Sequence, residues 1–188
     1  MKYLALAALI LGAGTAHADQ YTDVMTAYAR DHVQGWLSQP VLLSAIRNQN
    51  AQHSGLSQDR IDEMDRQWRA EVGLAARPIV DPVLNNAASD YLRGQVNGSA
   101  GVVTEVFIMD NHGLNVAASD ATSDYWQGDE EKFTDTFGKG AGAIHISDIE
   151  FDESTQTYQG QVSMTVTDPE TGTVIGAVTV GLNAEMLF

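Results

Sequence analysis

Apolar positions in the first half of the chain recur at helical intervals. Val24, Met25, Tyr28, Val33, Trp36 and Leu37 predict a helix over 21–37; Pro40 marks a break or kink, and Val41–Gln49 resumes the pattern. Ile61, Met64, Trp68 and Val72 follow one another at steps of 3, 4 and 4, which lays a single apolar stripe on a helix. Ser57 suits its N-cap, Asp59 its first turn and Gly73 its end. Asp81-Pro82 then places a cap and a first-turn proline before Leu84, Ala87, Ala88, Tyr91 and Leu92, with an end at Arg93-Gly94.

From Gly101 the pattern changes to short runs of Val, Ile, Thr and Gly, predicting strands at about 102–109, 113–119, 143–151, 156–167 and 172–182. Helical character survives only near Glu130–Phe137. Asp110–Gly113, Asp152–Thr155 and Asp168–Gly172 read as turns. Consecutive strands joined by tight turns make an antiparallel sheet, and helices segregated in the first half make the class α+β. No repeat or linker divides the chain, so 19–100 reads as the helical part and 101–188 as the sheet of one domain.

The N-terminus combines Lys2, an apolar run over Leu4–Ala13 and the small-residue exit Ala16-His17-Ala18. Residues 1–18 thus read as a cleavable signal peptide; the run falls short of the ~20 residues that a bilayer span needs. Cleavage leaves 9 Lys+Arg against 25 Asp+Glu, a formal charge of −16. The chain has no cysteine, which rules out disulfides, thiolate metal sites and cysteine nucleophiles. Export without disulfides fits a bacterial periplasm. The negative charge argues against nucleic acid and against anionic lipid, and is compatible with a cationic or neutral ligand.

Candidate chemistry gathers in Val106–Glu131, where a hairpin is followed by a polar loop carrying Tyr125 and Trp126 beside Gly128, Asp129 and Glu130. The two aromatics suit capture of a small amphipathic or cationic ligand, or else plug the core between loop and sheet. Asp129 and Glu130 fit a helix N-terminus with or without a ligand. Asp148, Glu150 and Asp152 alternate with Ile149 and Phe151, so a strand would carry the three carboxylates on one face. Such a row is a solvated face or a weak divalent-cation site. His112 belongs to a turn tip exposed to solvent, His145 to a strand, and no HExxH or G-x-S-x-G motif is present. Gly138–Gly142 lacks P-loop spacing and reads as a hinge or lid, and Trp68 reads as core.

Phe107-Ile108-Met109-Asp110-x-x-Gly113-x-x-Val116-x-x-Ser119, then Asp124–Glu130, then Asp168-Pro169-x-Thr171-Gly172-x-x-Ile175-Gly176-x-x-Thr179-Val180-Gly181 form an ordered set. The set resembles the single Cache (PAS-like, PDC-type) extracytoplasmic sensor domains of bacterial receptors. The resemblance implies a five-stranded antiparallel sheet with a long N-terminal helix, short helices and a small-molecule pocket. In amino-acid-binding relatives an acidic residue accepts the ligand's amine, a part that Asp129 or Asp148 would play. Those relatives also use an Arg near the aromatic pair. Here no Arg follows Arg93, and only Lys132 and Lys139 are basic beyond it, a departure that speaks against a plain amino acid.

The reading is therefore a non-enzymatic periplasmic ligand-binding sensor domain without cofactor. Its expected ligand residues are Tyr125, Trp126, Asp129, Ser119, Asp148 and Met109. Because the sequence stops at Phe188 with no second membrane segment or kinase module, a free-standing domain is expected to act through a membrane receptor or kinase. A homodimer through the N-terminal helix and a monomer are both open. A ligand-free adaptor and a divalent-cation binder through Asp148, Glu150 and Asp152 are the alternatives.

Overall fold

The computed structural model describes residues 14–152 and 156–188. The apolar core of the expected signal peptide, up to Ala13, and part of the expected Asp152–Thr155 turn lie outside them. Among the described residues no helix is long and apolar enough to cross a membrane.

Helix α1 (Gly14–Tyr28) runs into a π-helical turn (Ala29–Val33) and a 3-10 turn (Trp36–Ser38), so the expected helix over 21–37 is interrupted. Pro40 does not break a helix but opens α2 (Pro40–Gln52), where its missing N–H is no loss. Helix α3 (Gln58–Glu71) is capped by Ser57 as expected. Val72 lies just past its end, extended and 40% exposed, and so leaves the stripe.

The single helix expected after Asp81-Pro82 is two, α4 (Val80–Leu84) and α5 (Ala87–Gly98). Asp81 does not cap: it pairs with Arg77 at 2.8 Å. The buried Glu71 carboxylate instead accepts the amides of Ile79 and Val80 at the start of α4. Asn86 caps α5 by accepting the Ser89 amide at 2.9 Å, and its own amide donates to the carbonyls of Pro82, Val83 and Val116. That cross-link holds the kink open, so no continuous helix forms.

The sheet has strands β1 (Val103–Met109), β2 (Asn115–Ala118), β3 (Ile144–Ile146), β4 (Glu150–Asp152), β5 (Thr157–Thr167) and β6 (Val174–Asn183), with a short helix α6 (Glu131–Thr134) between β2 and β3. All pairings are antiparallel, in the order β2-β1-β6-β5, with β3 and β4 sharing the outer side of β5. The sheet has six strands, not five, because the strand expected over 143–151 is split. At the split the Ser147 hydroxyl, not a backbone carbonyl, accepts the Gln161 amide at 2.8 Å.

One sheet face is aliphatic: Val106, Val180 and Val162 stand in one cross-strand row, and α1, α2 and α5 bury it with Met25, Ile46 and Leu92. The opposite face carries the row Ala118, Phe107, Thr179, Ser163 and His145. There Phe107 and Met109 pack with Trp68, Val80, Tyr125 and Phe133 from α3, α4 and the segment after β2. Gly176 is required where β6 crosses β1: a Cβ would stand 2.1 Å from the Met109 carbonyl oxygen. Hairpin, helical segment and strand meander follow one another as the Cache resemblance implies.

Candidate functional site

The Asp110-x-x-Gly113 turn is held from inside. Asp110 is fully buried and its carboxylate accepts from the amides of His112 (2.8 Å) and Leu114 (3.0 Å), from Gln49 (3.0 Å) and from His53 Nδ1 (2.7 Å). Gly113 sits at φ +82°, and its Cα hydrogens face Gly128, where a Cβ would come within 2.5 Å of the Gly128 Cα. Only glycine fits both demands. His112 is not free at a turn tip; its Nε2 lies 3.1 Å from the His53 carbonyl.

The aromatic-acidic segment is clamped onto this turn. The half of α3 that faces it supplies Asp65, whose carboxylate accepts the amides of Tyr125 (2.9 Å) and Trp126 (3.0 Å). The Trp126 indole N–H donates to the His112 carbonyl at 2.8 Å. The Tyr125 ring stacks on Trp68, centroids 5.2 Å apart and planes 11° apart. Trp68 is fully buried, as its stripe predicts, and its N–H donates to the Thr122 carbonyl.

Two clefts open on the described surface. The first, about 640 Å³, lies between the start of α6 and the β3–β5 edge. Six carboxylates line it, from Asp129, Glu130, Glu131, Asp148, Glu150 and Asp152, against Lys132 and His145. Lys132 is committed within the protein: Nζ is 2.9 Å from the Glu130 carboxylate and 5.6 Å from the centre of the Phe107 ring. Gln159 and Gln161 form part of the wall, and both donate to the Glu105 carboxylate, at 3.1 and 3.0 Å. Burial pushes the Glu105 pKa above the ordinary carboxyl range, with the glutamine bonds and Lys132 opposing the rise. Glu105 was missed from the sequence, where its signal is a lone acid inside the apolar run Val102–Met109.

The first cleft brings Asp129 and Asp148 together, together with Glu150 and Asp152. It does not take in the other expected residues. Met109 is fully buried in the core. Ser119 belongs to the hairpin, where its hydroxyl accepts the Val106 amide at 3.0 Å. Trp126 is bound to the turn, and Tyr125 lines the second cleft instead. The carboxylates of the first cleft do not converge on a point: among the described residues no group of three or more His, Asp or Glu side chains is placed to hold a metal ion. Asp148 falls in the break between β3 and β4, so only Glu150 and Asp152 keep the expected strand alternation.

No family model and no curated protein matches this chain. Solved structures do. The ligand-binding domain of the Campylobacter jejuni chemoreceptor Tlp3 in complex with 4-methylisoleucine aligns over 92% of this chain and 60% of its own length, at 13% identity and TM-score 0.43. The sensory domain of the same receptor with isoleucine bound gives 89%, 64%, 14% and 0.43. The sensor domain of the V. cholerae histidine kinase DctB gives 92%, 58%, 11% and 0.39. This chain spans less than two thirds of the length of each.

Proposed function

We propose that the chain is a periplasmic sensor domain that binds a small organic cation in the cleft between α6 and the β3–β5 edge and reports occupancy to a membrane-bound partner. The observation that carries this reading is the lining of that cleft, six carboxylates against one lysine, Lys132, which is paired with Glu130 of the six. Charges of one sign gathered along one cleft set up a potential that attracts the opposite sign. Asp129 lies in the turn before α6 and Asp148 in the break between β3 and β4, so an amine between them would tie the approach to α6 to the sheet edge. Phe151, which also lines the cleft and is 49% exposed, offers an aromatic face to an alkylammonium group. Signalling would follow as a shift in the population of states in which the cleft is closed on its ligand.

A panel of diamines, choline and simple carboxylates tested by thermal shift and calorimetric titration checks this. Amines are expected to raise the melting temperature, and Asp129→Asn and Asp148→Asn each to weaken the amine that binds best by about tenfold. If carboxylates stabilise the protein and no amine does, or if both variants bind like the parent, the reading fails.

A further inference from the structure

The second cleft, about 610 Å³, lies on the other side of the clamped segment, between α2, the approach to α4 and the end of the sheet at β2. Its lining is as different from the first as the molecule allows. Val41, Ala45, Met64, Ile79, Val83 and Val116 supply apolar wall, and none of its described lining residues is Asp or Glu, in a chain with 25 of them. Two polar groups are presented by the interior. Tyr125 is 4% exposed, and its hydroxyl makes no hydrogen bond to any described residue. Its ring is fixed by the stack on Trp68. His53 is fixed by the 2.7 Å contact of Nδ1 with the buried Asp110 carboxylate. That contact makes Nδ1 the donor, because a carboxylate only accepts. Nε2 has no partner among the described residues.

We propose that this cleft is a second small-molecule site, for an apolar molecule of a few carbons to a ring in size that carries one hydroxyl head group. The Tyr125 hydroxyl lines the cleft without a protein partner among the described residues, and a ligand oxygen would give it one in place of solvent. The Tyr125 phenol is held protonated by burial and by the Asp110 carboxylate, so it is a donor. A hydroxyl both accepts and donates, so it meets the Tyr125 phenol and the His53 Nε2 whichever way that nitrogen bonds. The titratable groups facing His53 are Asp110, at Nδ1, and His112, whose Nε2 meets the His53 carbonyl. The site is independent of the cation cleft, which lies beyond the clamped segment.

The test uses the full chain with cyclohexanol, methylcyclohexane and cyclohexanecarboxylate as probes, followed by amide chemical shifts. Cyclohexanol is expected to bind and to move the amides of Ala45, Val83, Val116 and Tyr125. Tyr125→Phe keeps the stack on Trp68 and removes only the hydroxyl; it is expected to weaken cyclohexanol by about fivefold, the worth of one net hydrogen bond, and to leave methylcyclohexane unchanged. Ala45→Leu fills the wall and is expected to abolish both. Equal cyclohexanol affinity in parent and Tyr125→Phe, shifts confined to the acidic cleft, or no shift with any probe would overturn the proposal. Diamine binding at the first cleft is read separately in the same samples.

Discussion

The two ends of the segment that follows β2 make opposite use of the same residue types. At the hairpin end, Asp65 and Asp110 are buried and each carboxylate accepts backbone amides. At the β3–β4 end, Asp148 and Glu150 are exposed and line an open cleft with Asp129. The buried carboxylates organise backbone; the exposed ones face solvent and whatever the cleft receives. Position relative to the nearest unpaired amides, not residue type, separates the two roles.

The sharpest way to break that comparison is to remove one carboxylate from each end. Asp110→Ala strands the amides of His112 and Leu114, together with the side chains of Gln49 and His53, inside the protein. It is expected to lower unfolding free energy by about 3 kcal/mol in urea titration. Asp148→Ala, by contrast, is expected to stay within about 0.5 kcal/mol of the parent. Equal effects would mean that the acidic cleft is as structural as the turn.

A smaller effect is expected at Gly128→Ala. The new methyl would stand 2.3 Å from the Trp126 indole nitrogen and 2.7 Å from the His112 carbonyl oxygen, so the clamp must shift. A loss of about 2 kcal/mol is expected, with a changed Trp126 environment in near-ultraviolet circular dichroism.

The smallest is a pH effect that sharpens the contrast within the cleft wall. Burial raises the Glu105 pKa above its unfolded value, so over the range between the two the folded state binds more protons and stability falls as pH rises. Glu105→Gln keeps an acceptor for Gln159 and Gln161 and removes the charge. It is expected to raise the melting temperature at pH 7 relative to the parent, with the difference vanishing below the ordinary carboxyl range. Asp168 runs the other way. The Arg47 guanidinium, bonded to it at 2.8 Å through Nε, lowers its pKa, so that contribution is present at neutral pH and is lost as acid protonates the carboxylate.

Much of the architecture was legible along the chain. The stripe through Trp68, the Ser57 cap, the Asp110–Gly113 turn and the order of hairpin and meander all follow from periods and turn chemistry that act over a few residues. The break between α4 and α5 was not legible, because Asn86 makes it by reaching Val116, 30 residues away. The split of the third edge strand depends likewise on Ser147 meeting Gln161. Of the expected ligand residues, Asp129 and Asp148 reach one cleft, while Met109, Ser119 and Trp126 serve core and hairpin. Tyr125 was singled out for its aromatic face, but it turns that face to Trp68 and lines another cleft.

The sequence by itself determined the element types, the antiparallel order and the surplus of negative charge, since each is set by local spacing or by composition. Tertiary structure alone decided which carboxylates are buried partners and which line a cleft, that Glu105 lies desolvated behind two glutamines, and that a cleft without acidic lining exists beside Tyr125. Those outcomes depend on which strand or helix end arrives next to a given side chain, and that contact is made between residues far apart in the chain.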